Sequence, residues 1–291
     1  MLMWVQSIVP GQVIQGRVRM LEKQFTRIYV KDLPLMETKI WIRRGIGIVN
    51  PVVIIGLPGL GRIGGIISRY LIKRLNTKLV GIVTSPYFSN QVIVSKKGIA
   101  RITGVRMYKS GNTLENSDLI IVTADEHLEN IWGEYDIAIK LLRFLIKKGV
   151  RLIVTVGGHV SSTGSKGVIG FASNEQLLKR LEEAGCRKAE MGTPVVGLSG
   201  IILGLSSIMG VDAVCILGET ISVRPDAERS REVLNVLNKF LGLNIDISDF
   251  QREEEKINEI ISRYESKVKQ LIQDEKARKI AEAFMPPDYV S

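Results

Sequence analysis

Histidine and cysteine are scarce in this chain, with two residues of each among 291. Metal centres usually combine several imidazole, thiolate or carboxylate ligands, so the isolated His127 and His159 exclude a histidine-rich metal site. Cys186 and Cys215 lack metal-ligand spacing and fall in apolar or helix-end positions. We therefore expect two buried thiols, a reducing and thus cytoplasmic compartment, and no metal.

Long apolar runs are also missing. The best candidate for a membrane span, residues 195–217, is interrupted by Gly210 and Asp212, and a charged residue costs about 2.5–3.5 kcal/mol near a bilayer centre. Each half is too short to cross a membrane, so a buried helix followed by a buried strand is expected. Because the first residues also lack a basic-then-apolar signal pattern, we expect a soluble protein without a membrane partner.

Acidic residues are outnumbered, at 30 against 40 basic ones, which gives a net charge of +10. A basic surface can attract nucleic acid, anionic lipid or an acidic protein. No helix-turn-helix, RNA-binding or zinc-finger pattern accompanies this charge. A nucleic-acid partner, which would show as steeply salt-dependent binding, is therefore the weakest of the functions considered.

The most informative stretch that the chain does have is Val52–Leu75, where a β-branched run leads through a glycine-rich turn into a helical pattern. It contains Gly59-x-Gly61-x-x-Gly64, the spacing of a dinucleotide-binding loop. That fingerprint also needs an acidic residue about 20 positions later, and the next predicted strand ends without one. Pro58 further removes an amide donor from the loop. The glycines therefore predict a tight turn and a closely packed helix, with no cofactor.

After this unit, strands are predicted at residues 79–84, 91–95, 99–102, 118–123, 151–156 and 211–217, and the second and third of them form a hairpin. Helices are predicted at about 128–148, 174–184, 197–209 and 226–241, and Asn174 or Ser173 and Gly185 mark the two ends of the second. Three of the strands are apolar throughout. This pattern predicts an α/β fold with a mixed, mainly parallel sheet covered by helices on both faces, of a phosphorylase- or hydrolase-like kind. We divide the chain into an N-terminal β extension (1–50), an α/β core domain (51–245) and a C-terminal helical tail (246–291).

The tail carries two candidate contact elements. In its charged helix, apolar residues from Ile257 to Leu271 step by four, three, four and three, a short heptad seam that suits packing on its own domain or on another subunit. Its proline-terminated end places an aromatic near a free carboxylate, which can enter a partner's pocket or simply fray. The candidate partner-binding residues are Tyr264, Val268, Leu271, Asp288, Tyr289, Val290 and Ser291.

An enzymatic alternative rests on the glycine-rich strand ends. Ligands of open α/β sheets collect at the carboxyl ends of the strands, where this chain could assemble a cleft for a small anionic ligand and weak acid–base chemistry. The residues of this alternative site are Gly59, Gly61, Gly158, His159 and Glu219. No phosphate-binding loop, nucleophile elbow or facing carboxylate pair accompanies them. We therefore predict that the protein is not an enzyme.

Several motifs occur together in an order that resembles a known family. They are GLPGLGRIGGIISRYLIKRL, SPYFSNQVIV, GLSGIILGLSSIMGV and GETISVRPDAERSREVLNVLNKFLGLNIDIS. From about Pro51 through the tail helix, the chain is similar to the proteasome assembly chaperone 2 family in its archaeal type. Residues 1–50 lie outside this resemblance.

The resemblance implies an α/β fold like that of purine nucleoside phosphorylases, without evident enzymatic residues. It also implies a homo-oligomer, or an oligomer with a paralogue, that binds proteasome α subunits or a related protein and assists ring assembly. Family members that dock on the proteasome can end in a three-residue motif, in which a hydrophobic residue is followed by tyrosine and then by any residue. Here Tyr289 is third from the end and follows Asp288, so the tail departs from that pattern.

Overall fold

The computed structural model describes residues 37–252, except 96, 112–113, 115–116, 129, 162–165 and 222–223, together with residues 255, 259 and 270. The first 36 residues of the predicted N-terminal extension lie outside the described residues. So do the predicted tail contacts Tyr264, Val268, Leu271, Asp288, Tyr289, Val290 and Ser291.

One large sheet organises the described part of the chain. Nine strands form it in the order β1-β3-β6-β7-β2-β8-β11-β9-β10, and β4 and β5 form a separate hairpin. The strands are β1 (Lys39–Ile42), β2 (Val52–Gly56), β3 (Lys78–Thr84), β4 (Val92–Val94), β5 (Ala100–Ile102), β6 (Val105–Lys109), β7 (Leu119–Ala124), β8 (Leu152–His159), β9 (Val168–Ala172), β10 (Arg187–Lys188) and β11 (Ala213–Glu219).

The centre of this sheet is parallel. Strands β7, β2, β8 and β11 run in one direction, and β1, β3, β6 and β9 add antiparallel pairs at the two sides. Along β2, Ile54 packs into one apolar cluster while Val53 and Ile55 pack into another. Such burial of both faces requires the continuous apolar sequence seen here. The prediction of a mixed α/β fold is confirmed.

Within residues 37–249, as far as the structure describes them, five α-helices cover the two faces of the sheet. They are α1 (Ile63–Arg74), α2 (Ile131–Lys147), α3 (Glu175–Ala184), α4 (Leu198–Ile208) and α5 (Ala227–Leu241). Helices α1, α3 and α5 pack on one face, and α2 and α4 pack on the other. The side chains of Asn130, Asn174 and Asp226 cap α2, α3 and α5 by accepting an N–H three residues later. Because Asn130 is the cap, α2 begins three residues after the predicted start at residue 128.

Helix α1 lies against the sheet at a distance that only glycine permits. Gly61 has a φ of +59°, and a Cβ on Gly64 would lie 2.5 Å from the carbonyl oxygen of Val156 and 2.7 Å from that of Leu57. Both glycines therefore serve the turn and the close helix, as predicted. Gly59 has room for a side chain, with no atom within 4 Å of a Cβ placed there.

Two strands extend past the apolar runs predicted for them at residues 151–156 and 211–217. Gly157–His159 and Gly218–Glu219, which follow these runs, belong to β8 and β11, whose parallel register extends to Glu219 opposite His159. The glycines permit this continuation because other chain segments cross closely. A Cβ on Gly158 would overlap the carbonyl oxygen of Leu60.

The chain on either side of the predicted core domain also packs against it. Strand β1 pairs with β3 at one edge of the sheet. After α5, the side chain of Phe250 is fully buried, with its ring centroid 4.9 Å from that of Tyr70. The Tyr70 hydroxyl donates to Asp249 over 2.5 Å, so residues up to 250 are fixed to α1.

Both cysteines are buried, as predicted: Cys186 is 7% exposed and Cys215 is inaccessible. Burial raises the pKa of each thiol to about 12. In the residues that the structure describes, we find no helix with the length and apolar character needed to cross a bilayer.

Candidate functional site

A cleft of about 1330 Å³ opens where β7, β2 and β8 end. This is the edge of an open α/β sheet at which ligands and partners usually bind. Gly59, Gly158 and His159 line the cleft, so the structure brings three of the five residues of the alternative site together.

Gly61 and Glu219 do not line the cleft. The Gly61 carbonyl accepts the amide of Asp226 over 2.8 Å, behind the cleft wall. Glu219 lies opposite His159 in the register, but its carboxylate is 6% exposed and pairs with Arg187 over 2.7 Å. The carboxylate of Glu219 is therefore bound by an arginine from β10 and does not line the cleft together with His159.

Two further polar side chains line the cleft, His127 and Glu134, which were not among the predicted site residues. Burial raises the pKa of the Glu134 carboxyl, while the charge of His127 and a hydrogen bond from the Leu198 amide oppose this rise. The Nδ1 atom of His127 lies 3.1 Å from the carbonyl oxygen of Pro58. A carbonyl can only accept, so Nδ1 carries a hydrogen. These residues come from a loop and a helix, and only the fold brings them to one cleft.

Two adjacent carboxylates hold the β4–β5 hairpin, residues 91–102, which we call the arm. Asp125 accepts two hydrogen bonds from Arg101, at 2.6 and 2.8 Å, and two from Arg106, at 3.0 and 3.4 Å. Glu126 accepts from the amide of Ser89 at 2.8 Å and from the side chain of Gln91. As expected for neighbours in sequence, the two carboxylates point to different partners.

Hydrogen bonds lower the pKa values of both carboxyls. Burial alone would raise the pKa of Asp125, but the hydrogen bonds and charges of Arg101 and Arg106 outweigh it and lower this pKa. Burial likewise opposes the lowering of the Glu126 pKa by hydrogen bonds from Ser89 and Gln91. Both carboxylates are thus ionised anchors for the arm and are committed to structure rather than to proton transfer.

The arm presents an apolar face to solvent. Val92 pairs with Ile102 and Val94 with Ala100, so these four side chains share one face, while Ile93 lines the cleft on the other. Trp132 in the first turn of α2 is also exposed, and Tyr87 packs directly against Gly133 of the same turn. The exposed large apolar side chains of the arm, of this turn and of the segment before the arm are Tyr87, Val92, Val94, Ile99, Ile102, Ile131, Trp132 and Tyr135, which are 39% to 77% exposed.

Exposed apolar side chains beside a cleft often mark a place where a partner or a ligand binds. The sequence profile of the PAC2 family matches residues 53–265, and the chain belongs to this family. The resemblance to proteasome assembly chaperone 2 proteins is confirmed. An uncharacterized protein of Methanocaldococcus jannaschii is 32% identical over 228 residues, which cover 76% of this chain and 85% of that protein.

Solved structures from Pyrococcus furiosus have the same fold. PbaB, described as an archaeal proteasome activator, is 29% identical, with a TM-score of 0.70 over 79% of this chain and 99% of that chain. PbaA, described as an archaeal homolog of proteasome-assembly chaperone, is 26% identical, with a TM-score of 0.66 over 86% of this chain and all of that chain.

Proposed function

We propose that this protein is a non-enzymatic, cytoplasmic chaperone of proteasome assembly that binds proteasome α subunits or a closely related partner as an oligomer. The observation that supports it is the agreement of fold and sequence with PbaA and PbaB over nearly the whole length of both. PbaA and PbaB are both described in relation to the proteasome and share this fold. This favours a common protein partner over a common small-molecule substrate.

In this mechanism the protein covers an interface of a free α subunit until the correct neighbour arrives. Temporary coverage of this interface slows the association of the α subunit with a wrong neighbour. Specific assembly needs such an obstacle to wrong neighbours as well as an attraction to the correct one. The tail remains the candidate contact element, through the terminal residues Asp288 to Ser291. Its departure from the hydrophobic-Tyr-any residue ending makes a direct test necessary.

Capture of purified α subunits from the organism of this chain tests the proposal. The immobilised full chain is expected to retain these α subunits. Native mass spectrometry of the eluted complex then identifies them by their mass. Removing residues 285–291 is expected to weaken capture at least tenfold, because Asp288 to Ser291 are lost and the terminal carboxylate is moved to Phe284. A matched control replaces Met285 alone with Leu, which keeps Asp288 to Ser291 and the position of the terminal carboxylate. Undiminished capture by the truncated chain would eliminate the tail, and no capture by the full chain would eliminate the proposal.

One observation favours a second candidate, the binding and turnover of a small ligand in the cleft. Glu134 is a buried carboxyl beside an imidazole, an arrangement common at acid–base sites. Incubation with inosine and inorganic phosphate, followed by chromatography, separates the two functions. The chaperone proposal expects no cleavage. Cleavage that falls at least tenfold in Glu134→Gln, and is unchanged in the control Glu219→Gln, would replace it with a phosphorylase-like function.

A further inference from the structure

Cations gather at the end of the sheet opposite to the cleft, where β2 and β8 begin. There the Arg151 amide donates to the Pro51 carbonyl over 2.9 Å. The last turn of α2 ends at the same place, because the Asn50 amide donates to the Lys148 carbonyl over 3.1 Å. We call the surface that these contacts bring together the basic patch; its members are Val49, Arg143, Ile146, Lys147, Lys148 and Arg151, which are all exposed and do not line the cleft.

The charge of the basic patch is not offset within the protein. Across the residues that the structure describes, no carboxylate lies within ion-pair distance of Arg143, Lys147 or Lys148. The carboxylate of Asp118 lies beside the patch, but Lys109 already binds it over 2.7 Å. The dipole of a helix supplies only about half a negative charge at its C-terminus. The four cations of the patch therefore attract an external anion.

Two apolar side chains accompany these cations. Val49 is 61% exposed and Ile146 is 39% exposed. Protein interfaces combine apolar contacts with a polar rim. Surfaces that bind single-stranded nucleic acid usually add aromatic side chains on which the bases stack, and none of the six patch residues is aromatic. The composition of the patch thus favours an acidic protein over a nucleic acid.

We propose that the basic patch binds an acidic surface of the protein partner, an area rich in aspartate and glutamate on the proteasome α subunit or its close relative. This inference rests on the proposed function for the identity of the partner and adds the chemistry of the surface that the partner presents. Opposite charges on two surfaces mainly raise the rate of association. The contact leaves the cleft free, because the patch lies at the opposite end of the strands.

Biolayer interferometry of the full chain with purified α subunits measures this rate. The patch variant Arg143→Glu/Lys147→Glu reverses two charges on one face of α2, since residues four apart are neighbours on a helix. The control Lys179→Glu/Lys188→Glu makes the same change at two exposed lysines of α3 and β10, so both variants have the same net charge.

In about 50 mM salt, the patch variant is expected to associate at least tenfold more slowly than the wild type and the control. This difference is expected to shrink in about 500 mM salt, because ions screen the attraction. The milder variant Arg143→Gln/Lys147→Gln keeps good helix formers and is expected to fall between the two. Circular dichroism establishes that each variant is folded.

The outcomes separate this inference from the proposed function. A folded patch variant that associates as fast as the wild type overturns the inference and leaves α-subunit binding intact. If that variant loses binding to a DNA duplex instead, the patch serves nucleic acid. A wild type that does not bind α subunits overturns the proposed function, and poly-L-glutamate then tests the patch alone. Its binding is expected to weaken at least tenfold in the patch variant only, and equal binding by patch variant and control overturns the inference.

Discussion

Replacing Asp125 with Asn is expected to lower the free energy of unfolding by about 3 kcal/mol, because it leaves a buried charge without its partner. The side chains of Asp125 and Arg106 are only 8% and 9% exposed, and they form an ion pair of 3.0 Å. Urea unfolding at pH 7 measures the change. The arm should also loosen, so trypsin is expected to cleave after Lys97 sooner than in the wild type.

The matched control is Arg101→Gln, which removes the more exposed partner of the same carboxylate. The Arg101 side chain is 41% exposed, and exposed ion pairs contribute less than about 1 kcal/mol. A loss of stability in Arg101→Gln as large as that in Asp125→Asn would show that the buried pair with Arg106 is not the source of the effect.

Acid should erase the difference between the wild type and Asp125→Asn. The pKa of Asp125 is lowered in the folded protein, so its contribution to stability is complete above the unfolded pKa of about 3.9. That contribution is lost as the pH falls through the folded value, where the carboxylate takes up a proton. The difference in unfolding free energy between the wild type and Asp125→Asn is expected to be complete at pH 7 and to shrink as the pH falls below about 3.9 and through the folded pKa. A difference that stays constant over this range would contradict this account.

Replacing Gly64 with Ala is expected to destabilise the protein by about 2 kcal/mol or more, although alanine is the better helix former by about 1 kcal/mol. The added Cβ would meet two backbone carbonyl oxygens, which cannot move aside as a side chain can. Helix α1 must then shift away from β2 and β8. Thermal or urea unfolding measures the loss.

Gly65→Ala is the control one residue further along α1. A Cβ there would meet only Pro58, at 3.6 Å, an ordinary packing distance. This variant is expected to be neutral or slightly more stable, because the helix gains without a collision. Equal destabilisation of both variants would contradict a steric role for Gly64 and reopen the question of a ligand at the glycine loop.

Sequence patterns predicted best where one local signal decided the structure. The apolar run at residues 52–55 can only be a strand buried on both faces, and Asn174 with Gly185 marks both ends of α3. Strands β6 and β9 were missed because they are short and flank the parallel centre. An arginine is expected at the surface, so the sequence gives no reason to place Arg106 in a buried strand. Its ion pair with Asp125 explains why it is buried in β6.

The candidate site was less predictable because its parts come from separate elements. Glu134 lies in the first turn of α2 and His127 in the preceding loop, and nothing in their spacing indicates a shared cleft. Conversely, the sequence suggested His159 with Glu219, which Arg187 prevents. The alternation in the arm was sufficient to predict a hairpin, but exposure of its apolar face follows from tertiary position alone.

The anchoring of Phe250 against Tyr70 places the root of the tail on the α1 side of the sheet, whereas Trp132 projects from α2 on the other side. The chain therefore leaves the folded domain on the α1 side, so a contact made through the tail and a contact made through Trp132 do not have to compete for one surface.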